Sequence, residues 1–416
     1  MALAIFLLTY VFVAGARLPW VRLDRTGGAL VGAVLMVVLG VVTPGEVFNH
    51  SADPARHAVD LDTLVLLFAM MVLASYLAEA AFFRTAGFHA VRLARTPRML
   101  LVIVAAVSAV LSAFLVNDTV CLMLTPLVLA VVQDAKLPAR PYLFAVCMAS
   151  NTGSLATFTG NPQNMLIQGA SRLSYASFAA YMALPAVLTT AVVAGALLYL
   201  FRRELTGAAF EPRPPPPPLD RKLLALTGVT LAGVVVAFFA GLPMSWSALA
   251  GAALVMTLAQ REPRQALERV DFVLLVFFAS LFVVVYGVNQ AGWAERIREL
   301  FAPWLGEGGT SQALGFASLT LVASNLFSNV PFVMLARTWV PALENPVLGW
   351  HLLALGSTLA GNLTLIGSVA NLIVFEAARD RERVSFLDYA RIGVPVTLAT
   401  FVLGVALLLA EHALFS

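Results

Sequence analysis

Inside an otherwise apolar stretch of this chain sits FTGNPQNMLI, Phe158 to Ile167, a polar interruption where a bilayer-crossing helix has nothing polar to bond. Its skeleton returns in LIGSVANLIV, Leu365 to Val374: Thr157-x-x-Gly160-x-x-x-Asn164 matches Thr364-x-x-Gly367-x-x-x-Asn371. A helix broken in hydrocarbon leaves backbone groups unbonded, which is tolerated only where they line a protein cavity or a water-filled site. Two matched breaks predict an internal polar site built from both halves of the chain.

Residues are 60% hydrophobic and 12% charged, with a mean hydropathy of +0.88, and many apolar runs reach the roughly 20 residues that a crossing needs. This is the composition of a polytopic membrane protein. The net charge of +3 reflects basic residues crowded into alternate loops and implies no nucleic-acid partner. The first apolar run, Ala2 to Val13, is followed by Arg17, Arg22 and Arg25, the reverse of a signal peptide's charge order, and reads as a retained span. Cys121 and Cys147 fall within predicted spans, where they read as packing residues and support neither a disulfide nor a zinc site. The histidines, His50, His57, His89, His351 and His412, are scattered along the chain, so no ligand pair and no metal site is expected.

Apolar runs predict spans near 2–16, 28–43, 61–83, 141–169 and 174–201, then near 222–240, 243–259, 269–288, 347–376 and 389–414. Two further runs, 98–132 and 311–343, are too long for one crossing and are interrupted at Asn117-Asp118 and at Ser328-Asn329-Val330-Pro331. Each fits a hairpin that enters, turns at mid-depth and leaves on the same side. The expected fold is therefore an all-α polytopic membrane protein of two repeats, each with five transmembrane spans, one re-entrant hairpin and one broken helix. Five crossings are an odd number, so the second repeat, 222–416, is inverted relative to the first, 1–203. The Pro-rich segment 204–221 is a cytoplasmic linker. With both termini outside, all of the 26 Lys and Arg except Arg56, Arg172, Arg296, Arg298 and Arg337 fall on the cytoplasmic side, as the positive-inside rule requires.

At the breaks, Gly160 can end a helix in the left-handed conformation, Asn161 can cap the next one, and Pro162 suits its first position. Gly367-Ser368 offers the same stop and cap. Each break sets carbonyls beside N–H groups, cation ligands beside an anion cradle. Ser112-x-x-x-x-Asn117 aligns with Ser324-x-x-x-x-Asn329 at the hairpin tips, where Asn117 would cap an arm beginning near Thr119 and Asn329 one beginning at Pro331. Asp118 is the sharpest single residue. A carboxylate at bilayer depth is costly, so it is the candidate to trade a proton, unless sodium or helix amino termini hold it ionised. Glu79 and Asp271 sit at span ends, Glu376 follows the second break, and Arg337 lies about two turns past the second tip.

These residues resemble the ion transporter superfamily, which includes arsenite efflux pumps, divalent anion:sodium symporters, citrate transporters and some sodium/proton antiporters. The similarity runs through FLVNDTVCLMLTPLVL, SNTGSLATFTGNPQNMLI, FSNVPFVML and GNLTLIGSVANLIV, and covers essentially the whole chain. It implies that two hairpins and two broken helices enclose substrate and coupling ions, at Asn117, Asp118, Thr119, Thr157, Gly160, Asn161, Asn164, Ser328, Asn329, Thr364, Gly367, Ser368 and Asn371. A sodium ion would be held at Asn117, Asn164, Asn329 and Asn371, and a homodimer is implied. The symporters' Ser-Asn-Thr tips are replaced by Val116-Asn117-Asp118 and Ser328-Asn329-Val330, which removes hydroxyls that would bind a dicarboxylate and adds a carboxylate that repels one.

The reading that follows is an ion-coupled secondary active transporter of the inner membrane. It would move a small anion or oxyanion, arsenite-like or carboxylate, by alternating access around a midplane site, with H+ or Na+ as coupling ion and no cofactor. The alternative is a sodium/proton antiporter. A dicarboxylate or citrate symporter and a channel stand behind these. An enzyme finds no nucleophile with a base and no carboxylate pair at catalytic spacing.

Overall fold

Several helix starts fall where the sequence supplies a cap. Asp24, Asp60, Thr96, Ser174, Asp220 and Asp271 each accept from a first-turn N–H of the helix that follows, at 2.7 to 3.2 Å, satisfying donors that hydrocarbon would leave stranded. The computed structural model describes residues 1–13, 23–48, 58–206 and 218–415. These residues are helical almost throughout, with no strand among them. Most of the expected linker and Arg17, Arg22, Arg56, His50 and His57 lie outside the described residues.

Leu61–Glu79, Pro97–Phe114, Tyr175–Leu200, Arg221–Phe239, Phe272–Gln290 and Phe386–Leu414 are long and apolar enough to cross a membrane. Val187, Val229, Val236 and Val402 on them are exposed, as lipid-facing side chains are.

The order of elements in the first half recurs in the second. Ala2–Val13, Arg25–Val38 and Leu61–Glu79 correspond to Arg221–Phe239, Met244–Leu258 and Phe272–Gln290. Amphipathic helices follow at Phe82–Leu93 and Trp293–Leu305, then the hairpins, the broken helices and the long terminal helices Tyr175–Leu200 and Phe386–Phe415. The packing respects this correspondence. Arg25–Val38 packs on Phe272–Gln290 as Leu61–Glu79 packs on Met244–Leu258, and the two long terminal helices pack on each other.

The hairpins differ from expectation in detail. The first is Pro97–Phe114 and Asn117–Asp134, broken at Leu115-Val116, so that Asn117 and Asp118 belong to the first turn of the return arm and not to the break itself. The second is Gly309–Phe327 and a short return arm, Asn329–Ala336, followed by a turn at Val340–Ala342. Arg337 closes that arm, half-buried. Glu79 pairs with Arg261 at 3.8 Å, and Glu376 is exposed beside Arg379 at 2.9 Å.

Each hairpin climbs its own broken helix to the break and turns there. The Tyr142 hydroxyl donates to the Pro97 carbonyl at the base (3.0 Å), Ser112 and Ser150 share a bond higher up (2.7 Å), and the Thr157 hydroxyl donates to the Ala113 carbonyl at the tip. Gly153 allows the closest approach, since a Cβ there would overlap the backbone of Ala109, the small-residue packing typical of membrane helices. In the second half the Gln312 amide oxygen accepts from the Glu344 N–H at the base (2.8 Å), and Asn325 Nδ2 donates to the Ala360 carbonyl near the tip (2.9 Å).

Candidate functional site

The broken helices are Arg140–Ser154 with Pro162–Ser171, and Pro346–Ala360 with Val369–Ala377, each pair joined by a short 3-10 turn. Asn161 Oδ1 accepts from the Asn164 N–H at 2.8 Å and Pro162 takes the first position. Ser368 Oγ accepts from the Ala370 N–H at 3.2 Å. Both caps are thus as the residues predict. The glycines act differently from expectation. Neither Gly160 nor Gly367 has a positive φ. They are required by space, because a Cβ on Gly160 would overlap the Ser154 carbonyl oxygen, and one on Gly367 would lie 2.6 Å from Asn325 Nδ2.

The carbonyls freed by each break are bonded by an asparagine of the same break. Asn164 Nδ2 donates to the carbonyls of Ser154 and Thr157 at 3.1 and 3.0 Å, and Asn371 Nδ2 to those of Gly361 and Thr364 at 2.6 and 3.1 Å. Thr157 and Thr364 tie the breaks to their hairpins, the first through the Ala113 carbonyl and the second through Asn325 Nδ2 at 3.1 Å. Across the two halves, Asn161 Nδ2 donates to Thr358 Oγ1 at 3.1 Å while Ser368 Oγ donates to Asn151 Oδ1 at 3.4 Å. Asn151 stands opposite Thr358 in the repeat, so each break reaches over to the other.

Both hairpin tips and both breaks meet at one small cavity of about 20 Å³. Asn117, Asp118, Ser328 and Asn329 line it from the tips, Pro162, Gln163, Gly367 and Ser368 from the breaks, and Phe277 and Phe278 form an apolar wall. Of the residues expected here, Thr119, Thr157, Gly160, Asn161, Asn164, Thr364 and Asn371 do not line it. Those at the breaks shape the peptide that does, and Thr119 is half-buried to one side.

The tips are built unlike the prediction. Neither Asn117 nor Asn329 caps its arm. Val116 and Ser328 occupy the cap positions, and no side chain covers the first-turn N–H groups of either arm. Asn117 Oδ1 and Asn329 Oδ1 are instead buried acceptors without a protein partner, and Ser328 is held at φ 68°, ψ 150°, a conformation that costs a non-glycine residue about 1 to 3 kcal/mol. Uncapped donors, unpartnered carbonyl oxygens and the buried Asp118 carboxylate therefore share one space.

Several residues here escaped the sequence reading. Asn151, Asn362, Gln163, Asn325 and Thr358 form the hydrogen-bonded floor under the tips. A comparison of the repeats for identical residues loses them, since the repeat sets Thr358 against Asn151 and Leu155 against Asn362. The histidines are also corrected. His351 Nδ1 and His412 Nε2 meet at 3.1 Å, buried beneath Tyr181, a pair that only the packing of Pro346–Ala360 on the terminal helix creates. Among the described residues no cluster of three His, Cys, Asp or Glu could hold a metal ion.

Residues 10–360 match the citrate transporter family. The silicon efflux transporter LSI3 of Oryza sativa subsp. japonica is 33% identical, over 94% of this chain and 93% of that protein. A protein of Dictyostelium discoideum named as transporter arsB is 25% identical, over 96% of this chain and 90% of its own length. The crystal structure of the YdaH transporter of Alcanivorax borkumensis is 17% identical with a TM-score of 0.59, covering 99% of this chain and 97% of that one, a shared fold. A match over most of the length, on an all-helical multi-pass scaffold, identifies the chain as a member of the citrate transporter family, a membrane transporter and not an enzyme.

Proposed function

We propose that the chain is a secondary active transporter for a small, weakly acidic oxyacid of the arsenous or silicic acid kind, working by alternating access with Asp118 as the proton-coupling residue. The double polarity of the cavity carries this reading. Uncapped N–H groups at both tips ask for acceptors, while Asn117 Oδ1, Asn329 Oδ1 and Asp118 ask for donors. A hydroxyl group answers both at once, accepting on its lone pairs and donating its hydrogen. A fully ionised dicarboxylate only accepts, so it would satisfy the N–H groups and strand the three oxygens beside its own charge.

The name of one relative, a silicon efflux transporter, agrees with such a substrate. The distribution of basic residues supports placing the chain in the inner membrane with both termini outside. The ladder of bonds from Tyr142 to Thr157 supports hairpins that turn at mid-depth. One further reading has an observation of its own. The same three oxygens suit sodium, which would make the chain a sodium/proton antiporter, although that leaves the N–H groups of the tips unused.

Purified protein in proteoliposomes separates these readings. Arsenous or silicic acid flux that is driven by an imposed proton gradient, saturates and shows counter-transport is the expected result. Sodium flux that neither acid alters would establish the antiporter instead.

A further inference from the structure

We propose that Asn151 and Asn362 are positioning residues that set the polarity of the cavity, so that it takes a hydroxyl-bearing acid in its undissociated form and refuses the anion. This rests on the functional reading above and goes further, naming which protonation state is bound and what selects it.

The argument is one of hydrogen-bond direction. A backbone carbonyl only accepts, so any amide bonded to one must present its nitrogen there. Asn371 presents Nδ2 to the carbonyls of Gly361 and Thr364, which turns its Oδ1 toward Asn151. Asn362 presents Nδ2 to the Met148 carbonyl at 3.2 Å, which turns its Oδ1 toward Asn151 as well. Asn151 therefore faces two acceptors and spends its own Nδ2 on them, at 2.8 Å to Asn362 and 3.4 Å to Asn371. Its Oδ1 is left on the other side, where it accepts from Asn117 Nδ2 at 3.0 Å. Asn117 Nδ2 is thereby held on Asn151, and the Asn117 Oδ1 is left buried without a protein partner at the cavity.

Every amide in this chain of four is fixed by oxygens that cannot donate. Turning Asn117 alone would set its Oδ1 against that of Asn151, giving up a buried hydrogen bond for a repulsive contact. The polarity of a hairpin tip in the first half is thus imposed from the second broken helix. Asn117, Asn329 and Asp118 line the cavity together, and the unpartnered Asn117 Oδ1 and Asn329 Oδ1 are oxygens that only a donor satisfies. An acid hydroxyl donates to them. Its conjugate base has one hydrogen fewer to donate and brings a negative charge beside the Asp118 carboxylate.

The test uses the full chain in detergent with arsenous acid as probe and nitrate as a plain small anion, binding being measured by calorimetry. In the unmodified chain arsenous acid should bind at neutral pH. Its apparent affinity should then fall about tenfold per pH unit above the probe's own dissociation, since only the undissociated fraction binds. Asn362→Leu removes the nearer of the two acceptors that fix Asn151, at 2.8 Å against 3.4 Å, and so loosens Asn117. The preference for arsenous acid over nitrate should then drop on the order of tenfold, the size expected when one bond's direction is reversed. Asn362→Gln, which keeps an amide, should restore most of that preference.

The pH profile needs no relay variant, so it stands even if Asn362→Leu fails to fold. Equal binding of acid and anion before any relay substitution overturns the proposal. Tight acid binding with a preference unmoved by Asn362→Leu overturns the relay alone and leaves the transporter reading intact. Binding of neither probe at any pH overturns both.

Discussion

Asn164 and Asn371 hold the two helix breaks closed in the same way, each turning its Nδ2 onto two carbonyls of its own break, yet their oxygens have different fates. Asn371 Oδ1 accepts from Asn151, whereas Asn164 Oδ1 has no partner. One asparagine is a latch. The other is a latch that also anchors the chain of amides leading to Asn117.

Replacing either by Ala strands two buried carbonyls and should destabilise the protein by about 1 to 3 kcal/mol, read as a lower midpoint in thermal unfolding of the purified chain. Only Asn371→Ala should also weaken the preference for an undissociated acid over an anion. Equal loss of preference in both variants would show that the breaks, and not the amide direction, set selectivity.

Asp118 lines the cavity and caps no helix, so Asp118→Asn keeps the shape of the side chain and removes only its ability to ionise. The variant should lose accumulation driven by a proton gradient while retaining substrate exchange across proteoliposomes with equal pH on both sides. Gradient-driven uptake at the rate of the unmodified protein would remove Asp118 from the coupling step.

The two break glycines should differ in their tolerance of a methyl group. A Cβ on Gly160 would overlap the Ser154 carbonyl oxygen, while one on Gly367 would meet the movable Asn325 amide at 2.6 Å and a backbone oxygen, that of Ala360, only at 2.9 Å. Overpacking of this kind costs about 1 to 3 kcal/mol, and Gly160→Ala should lie toward the upper end with Gly367→Ala below it. Thermal unfolding of the two variants side by side gives the order, and the reverse order would mean that the second break is the stiffer one.

Topology is open to cysteine labelling, because Cys121 and Cys147 are fully buried and their replacement leaves a clean background. Single cysteines at Pro216 and Asp380 should label from the cytoplasmic face with an impermeant thiol reagent, and ones at Asn49 and Glu307 from outside. Glu307 is preferred to Gly308, whose φ of 103° would strain a cysteine. Labelling of Asn49 and Pro216 from one face, or of Pro216 and Asp380 from opposite faces, would end the inverted-repeat reading, since making either hairpin a crossing reverses every later loop.

The helices, the two breaks and the caps at those breaks were legible because each has a local cause. Apolar runs set the helices, Asn161-Pro162 and Gly367-Ser368 set the stops, and a spacing shared by the two halves marked both breaks as part of one site. Local reasoning failed where the deciding partner is distant in the chain. Nothing near Gly160 says that its freedom from a Cβ matters for the Ser154 carbonyl more than for its dihedral angles. Nothing near Asn117 says that its nitrogen is taken by Asn151 and its oxygen left to the cavity. Nothing in scattered histidines foretells that His351 and His412 meet. A hydrogen bond's direction is fixed by what stands at its other end, and for Asn117 that chain of ends runs through Asn151 to Asn362 and the Met148 carbonyl, residues that only the packing of the two halves brings together.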